Sequence, residues 1–505
     1  MLHVDDMTPN VGAPPAGKAQ RSVGKLRAAF ITSIFDKYTS LAIQVIGVVI
    51  LSRLLTPKDI GIYSIGASFT MIAHLFRDFG VSKYVIQEAE LSKERVGTAI
   101  LFTALTSWVA GLAVAGLSSP LAMFYGEPGL RNVILVISGN FFVIPFGALA
   151  PSLLKREMRF TAVLRINFVS TFIHTATGIT LAFLGYGYMS MAWASLAGVV
   201  GTSLMSIALL PKVWRVRPSM KEWRRVLNFG YYATLSNFVM ILAKIAPDMI
   251  IGKIIDVASV GIYSKAKAIV SLFDQTVLSA IAPVIMPAVA MKHREGSQTK
   301  PFFLRGLAQL SAVGWTSFAF LGIMAFPMVR ILFGSQWDFA VPLARVLCLA
   351  ASIEILFTFA GSVLFAVGRV KETFRLQFAS KLVAIALIFA SAFAGLEWVA
   401  LSAVAYSSVE AILAYRTLAR ALQFDFAELL NALGKSFVAS ALAAVGPVVT
   451  VMTMTVDANH IWLPTIVAAA STCSIWLAAV FLIRHPVLEE ISLLYGVLRS
   501  RLQRT

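Results

Sequence analysis

Charge is what this 505-residue chain has least of: 13% of its positions are Asp, Glu, Lys or Arg, about half of what a soluble domain carries. That deficit excludes an ordinary water-soluble protein. Cysteine is almost missing as well. Cys348 and Cys473 stand in separate apolar runs with no Cys-x-x-Cys spacing and no clustering with histidine. Disulfide frameworks, structural zinc and thiol catalysis therefore have no support, and both residues read as buried thiols. Motifs for chemistry are absent too. There is no Walker lysine motif for ATP, no His-Glu-x-x-His zinc pair and no Ser/His/Asp constellation. Asp78-Phe79-Gly80 matches the kinase magnesium tripeptide, but it ends an apolar run and lacks the accompanying Gly-rich loop and His-Arg-Asp motif. Among the charges, acids are the scarcer sign: 25 Asp+Glu against 43 Lys+Arg, a net +18.

What is plentiful is apolar surface. The hydrophobic fraction is 58% and the mean hydropathy is +0.80, enough for about fourteen spans of ~20 residues. Apolar stretches bounded by charges or turn residues predict helices near 28–52, 60–82, 96–118, 132–154, 161–184, 189–210, 228–252, 258–289, 306–332, 339–367, 378–396, 397–419, 434–456 and 461–483. The separation of 378–396 from 397–419 rests on the turn Gly395-Leu396-Glu397-Trp398. Residues 1–27, polar with Pro14 and Pro15, read as a tail before an uncleaved first span. No connection is long enough for a catalytic domain.

Basic residues then set the orientation, because short cytoplasmic loops concentrate Lys and Arg. With the N-terminus inside, 32 of the 43 fall in the tails and the alternate connections, Lys155, Lys212, Lys292 and Lys381 among them. Both termini are therefore expected in the cytoplasm, and most of the positive excess is a topology signal rather than a sign of nucleic acid. An internal repeat adds to this. Arg53-Leu54-Leu55 followed by Ile60-Gly61-Ile62-Tyr63-Ser64 returns two hundred residues later as Lys253-Ile254-Ile255 followed by Val260-Gly261-Ile262-Tyr263-Ser264. Both copies sit at the outer turn of a helical hairpin, so the expected architecture is all-α, two parallel six-helix repeats with two helices appended. The boundaries follow: a tail 1–27, an N-lobe 28–210, a linker 211–226, a C-lobe 227–419, the last helix pair within 434–483 and a tail 484–505.

A few charges remain inside the apolar runs. Asp36 and Lys37 lie in the first; Lys244 and Asp248 lie in the seventh, four residues apart around Pro247, a spacing that places both on one helix face. The eighth carries Lys265, Lys267 and Asp274, the tenth Arg345 and Glu354, and the twelfth Glu410. Each Lys facing lipid at mid-membrane costs roughly 2.5–3.5 kcal/mol, so leaving Lys244, Lys265 and Lys267 in lipid would cost about 8–10 kcal/mol. They are expected to face a cavity or a partner. Two readings stay open for each: Lys244 with Asp248 as a plain intrahelical pair, Lys265 and Lys267 as chains snorkelling to the interface, or all as contacts to an anion. Glu354 and Glu410 are candidates for protonation or cation binding, with Arg345 the expected partner of Glu354. His74, Arg77 and Asp78 read as interface anchors and His174 as a core histidine.

The stretch Leu51-Ser52-Arg53-Leu54-Leu55-Thr56-Pro57-Lys58-Asp59-Ile60-Gly61-Ile62-Tyr63-Ser64, then Asp78-Phe79-Gly80-Val81, resembles the signature of the Wzx-type polysaccharide-exporting flippases. Val260 to Ala266 is similar to their repeated Gly-hydrophobic-Tyr-Ser-x-Ala motif. The resemblance implies a multi-pass protein of the bacterial inner membrane, of the multidrug/oligosaccharidyl-lipid/polysaccharide exporter superfamily, without enzymatic activity or cofactor. It implies a polyprenyl-pyrophosphate-linked oligosaccharide as substrate, moved from the cytoplasmic to the periplasmic leaflet, with membrane lipids and polysaccharide polymerase or export machinery as partners. Lys37, Lys244, Lys265 and Lys267 are the expected contacts to the diphosphate, and Asp248, Glu354 and Glu410 the expected ion-coupling acids; these residue assignments come from the charges, not from the family motif. A multidrug/cation antiporter, a peptidoglycan-precursor flippase and, from another class, a membrane polysaccharide polymerase are the alternatives.

Overall fold

A computed structural model describes residues 38–78, 92–210, 223–295 and 299–489, with a few single positions between them and the backbone alone over 223–237. The described residues are helical, with no strand among them. In chain order the long helices are α1 (Tyr38–Leu54, as far as it is described), α2 (Pro57–Asp78), α3 (Lys93–Tyr125), α4 (Pro128–Phe146), α5 (Phe160–Phe183), α6 (Tyr188–Leu209) and α7 (Trp223–Ile254). They continue with α8 (Val257–Arg294), α9 (Thr299–Ile323), α10 (Ala340–Ala366), α11 (Val370–Ala392), α12 (Leu396–Leu422), α13 (Phe426–Thr453) and α14 (Trp462–Leu482). Twelve of the described helices, all but α1 and α7, are long and apolar enough to cross a bilayer. The chain is an all-α, multi-pass membrane protein. α1 and α7 stand where the other two expected spans fall.

Local chemistry explains the hairpin turns. α2 begins at Thr56, whose hydroxyl donates to the Asp59 carboxylate at 2.6 Å while the Asp59 backbone N–H donates back to that hydroxyl at 3.2 Å. α8 begins with the same device and the groups exchanged: the Asp256 carboxylate accepts from the Ser259 backbone N–H and hydroxyl, each at 2.7 Å. Both satisfy orphan N–H groups of a first helical turn. α11 and α12 are separate helices, because Gly395 adopts φ +113° between them, a conformation that favours glycine.

Packing relies on small residues, as expected where lipid removes the ordinary hydrophobic drive. In α11 the buried positions run Thr373, Leu376, Ser380, Ala384, Ile388 and Ala392, mostly four apart and mostly small. Large apolar side chains such as Phe183, Phe393, Leu463 and Phe481 point outward. α8 is broken by a π-helical turn at Asp274–Leu278. Before it α8 packs on α2; after it, Ser279–Arg294 packs on Ala360–Ala366 and α9.

Three expectations need correcting. α11 starts at Val370 rather than near 378, which puts Lys381 about 16 Å into the helix instead of in a cytoplasmic loop. Arg345 does not neutralise Glu354: nine residues are two and a half turns, so the two occupy opposite faces of α10, and no ion pair joins them. Cys348 is buried, but Cys473 is exposed on the outside of the bundle, where a thiol behaves as one more apolar surface group.

Candidate functional site

Two adjoining cavities open among the helices of the second half. One, of about 260 Å³, is lined by Lys244 and Pro247 of α7, Tyr263, Lys267 and Asp274 of α8, Glu354 of α10, Lys381 of α11 and Tyr406 of α12. The other, of about 230 Å³, shares Met240, Glu354 and Lys381 with it and adds Thr358, Gln377, Ser407 and Glu410. Helix rise places the charges near mid-membrane: Lys244 lies about 15 Å from the end of α7, Lys267 about 15 Å from the start of α8, and Glu354 and Glu410 each about 21 Å from the start of their helices.

Lys244 and Lys267 are thus brought together at equal depth, as antiparallel neighbours must be. Both face the cavity, and neither forms an ion pair or hydrogen bond among the described residues. Asp248 turns away from Lys244 to α2, where its carboxylate accepts from the Ser68 hydroxyl at 3.1 Å; the intrahelical pair does not form. Glu410 is already occupied. Its two carboxylate oxygens accept from the Lys381 ammonium at 3.1 and 3.0 Å, and the Ser380 hydroxyl donates at 3.4 Å. Glu354 faces both cavities without a direct partner among the described residues, near the charges of Lys381 and Lys267.

Lys265 goes elsewhere. It is 7% exposed, and its ammonium donates to the Ser52 hydroxyl of α1 at 2.6 Å, with the Phe333 and Trp337 rings 5.1 and 5.3 Å away. Two residues along a helix turn the side chain by about 200°, so Lys265 meets the first half of the chain while Lys267 meets the cavity. Lys37 lies outside the described residues. His74 stacks against Phe141 at 4.6 Å.

Sequence reasoning missed Lys381 because it ends a run of basic residues, Arg369, Lys371 and Arg375, that reads as a loop. The available signal was the small-residue rhythm, which reaches back to Thr373 and places Lys381 inside the helix. Counting the cavity side chains, Lys244, Lys267 and Lys381 face Asp274, Glu354 and Glu410. Formal charges balance, yet one lysine is committed to a carboxylate and two are not. Among the described residues no three His, Cys, Asp or Glu side chains converge as a metal site.

The family model described as "Polysaccharide biosynthesis protein" matches residues 50–342, the stretch that runs from the end of α1 to the start of α10. The chain belongs to this family. The chain is 25% identical over 356 residues to the succinoglycan biosynthesis transport protein ExoT of Rhizobium meliloti (strain 1021), covering 69% of this chain and 68% of that one. It is 22% identical to the lipopolysaccharide biosynthesis protein WzxC of Escherichia coli (strain K12), over 74% of this chain and 77% of the relative. It is 24% identical to the probable low-salt glycan biosynthesis flippase Agl15 of Haloferax volcanii, over 65% and 68%. In fold it is similar to the lipid II flippase MurJ in an inward closed conformation, with a TM-score of 0.74 at 13% identity, covering 91% of this chain and all of that one. An inward-facing multidrug resistance MATE family transporter follows with a TM-score of 0.63 at 15% identity, over 78% of this chain and 98% of its own.

Proposed function

We propose that this chain is a flippase that carries a polyprenyl-pyrophosphate-linked oligosaccharide from the cytoplasmic to the periplasmic leaflet of the bacterial inner membrane. The translocated unit would feed exopolysaccharide or lipopolysaccharide assembly, where a polysaccharide polymerase takes it over. Family membership supports the polymer pathway. The observation that carries the substrate class is the pair of ammonium groups, Lys244 and Lys267, that face one mid-membrane cavity with no ion pair or hydrogen bond among the described residues. Two such cations in a low-dielectric site match a diphosphate diester of about two negative charges.

In this reading the two repeats form lobes, 28–210 and 227–419, with α13 and α14 appended, both termini cytoplasmic and the α1–α2 and α7–α8 turns periplasmic. The lobes rock about the cavity while the polyprenyl tail stays in hydrocarbon, so only the head group needs a polar path. Outward movement of about two negative charges releases roughly 2.3 kcal/mol per charge per 100 mV of inside-negative potential, which supplies a drive without ATP. Lys265, held by Ser52, drops out of the diphosphate set, and Glu410, held by Lys381, drops out of the ion-coupling set. Glu354 and Asp248 remain as coupling acids. An antiporter of organic cations fits the site less well, because its cavity would need an excess of acid.

The decisive experiment locates the lipid-linked repeat unit in cells that lack the chain. Accumulation in the cytoplasmic leaflet, relieved by the intact protein and not by Lys244→Ala/Lys267→Ala, is the expected result. Accumulation in the periplasmic leaflet would make the chain a polymerase or a later component, and dye efflux with unchanged surface polymer would make it an antiporter.

A further inference from the structure

The repeated turns touch each other, and they do so reciprocally although two hundred residues apart. A Cβ built on Gly61 would collide with the carbonyl oxygen of Val257, and a Cβ built on Gly261 would collide with the carbonyl oxygen of Pro57. Arg53 donates to the Ile331 carbonyl at 2.7 Å, and its counterpart Lys253 donates to the Phe124 carbonyl at 2.5 Å. These contacts all cross between the first and second halves of the chain. They form a two-fold related clasp at one end of the bundle, about 15 Å from the cavity lysines.

One pair breaks the symmetry. On one side Ile65 of α2 packs onto Gly252 of α7. On the other side the equivalent positions hold Lys265 of α8 and Ser52 of α1, joined by the 2.6 Å hydrogen bond. Around that bond the Ser52 carbonyl accepts from the Trp337 indole N–H at 2.8 Å and from the Gln336 amide at 2.5 Å, and Ser52 and Trp337 are fully buried. The ammonium has a single acceptor among the described residues. The Phe333 and Trp337 rings lend cation–π attraction, but two of the three ammonium N–H groups have no acceptor among the described residues, and parting of the halves would hydrate them.

The geometry points to Lys265 as a positioning residue of the clasp: its buried charge weakens the closed arrangement of this end, so that the halves can separate there. The inference rests on the alternating-access reading above, and its test measures opening rather than transport. Two substitutions remove the same hydrogen bond with opposite consequences. Ser52→Ala leaves the ammonium buried without an acceptor and penalises the closed end. Lys265→Ile removes the charge, copies the Ile65 half and favours the closed end.

The reporter is a single cysteine at Ala243, which lines the cavity, in a chain carrying Cys348→Ala and Cys473→Ala. A membrane-impermeant maleimide is added to either face of sealed vesicles of known orientation. From the clasp face, labelling is expected to be slow in the reporter chain, several-fold faster with Ser52→Ala and several-fold slower with Lys265→Ile, while Lys265→Arg stays near the reporter chain. Labelling from the opposite face, with the amount of inserted protein, separates a shifted equilibrium from a misfolded variant. Equal rates in all chains, or a shift of Ser52→Ala and Lys265→Ile in the same direction with protein inserted normally, would overturn the assignment. Failure of the unshifted reporter chain to move the lipid-linked unit, with the opposite labelling shifts of the two variants intact, would instead count against the substrate reading alone.

Discussion

Lys381 and Glu410 show how much one half-buried, cavity-facing ion pair can weigh at the residue scale. Each half of the pair sits near mid-membrane with its partner 3.0 Å away, so removing one leaves the other charge without its partner, at a cost below the ~3–5 kcal/mol of a fully buried pair because the cavity admits water. Lys381→Ala is therefore expected to lower the melting temperature in detergent markedly, while the double exchange Lys381→Leu/Glu410→Leu recovers most of the loss. Lys244→Ala and Lys267→Ala should behave differently, because among the described residues Lys244 forms no ion pair or hydrogen bond and Lys267 only lends its charge to Asp248, Asp274 and Glu354 without pairing directly: near-normal stability for the first, a small loss for the second, and polymer export lowered about tenfold or more, equivalent to at least about 1.4 kcal/mol of lost head-group interaction. Lys→Arg at each position should retain part of the export. A different residue, at the end of the bundle, responds to pH. His485, just beyond α14, accepts from the Val487 backbone N–H at Nδ1 and meets the Ser436 hydroxyl at Nε2, 3.0 Å away, an arrangement for the neutral ring. Burial, helped by the charge of Lys435, pushes its pKa down to about 4. The unfolded chain takes up this proton near pH 6.5, so between there and about pH 4 it binds more protons than the folded chain, and stability falls as the pH falls. Thermal melts from pH 7 to 4.5 should show that slope, and His485→Gln should flatten it.

At the scale of helices, the α2 and α8 starts are one device used twice. Position 61 and its counterpart 261 require glycine for close approach rather than for an unusual dihedral. Gly61→Ala and Gly261→Ala are expected to impair export to a similar degree, since each methyl meets backbone. Gly434→Ala, whose methyl would meet nothing, should be silent in the same polymer assay. α8 also shows why one long apolar run need not be one rigid rod. Its π turn at Asp274–Leu278 is the kind of inserted turn that marks functional sites in helices, and it separates the segment packed on the first half from the segment packed within the second.

For the molecule as a whole, the positive excess lies outside the cavities, in which three lysines face three acids, so what drives transport is tested apart from net charge. In proteoliposomes, collapsing an inside-negative potential should slow outward flipping of a diphosphate-linked lipid, while withdrawing sodium at constant potential should leave the rate unchanged. The reverse result would move the drive from the potential to a coupled cation at Glu354 or Asp248.

Composition and hydropathy alone determined that this is an all-α membrane protein and roughly where its apolar helices run, though not where α9, α11 and α13 begin, because a bilayer tolerates only sustained apolar runs with internally satisfied backbones. The repeat was legible as well, since Gly61 and Gly261 sit in near-identical words whose packing demand is local. The lysines were not sorted by sequence. Lys265 and Lys267 differ by two positions, yet one pins α1 and the other faces the cavity, a distinction of about 200° around a helix that only the neighbours decide. Lys381 looked like a loop residue until its helix was seen to begin at Val370, and Glu410 looked free until Lys381 was seen beside it. Charge content is written along the chain, but pairing depends on which helices adjoin, and that is a property of the packed bundle.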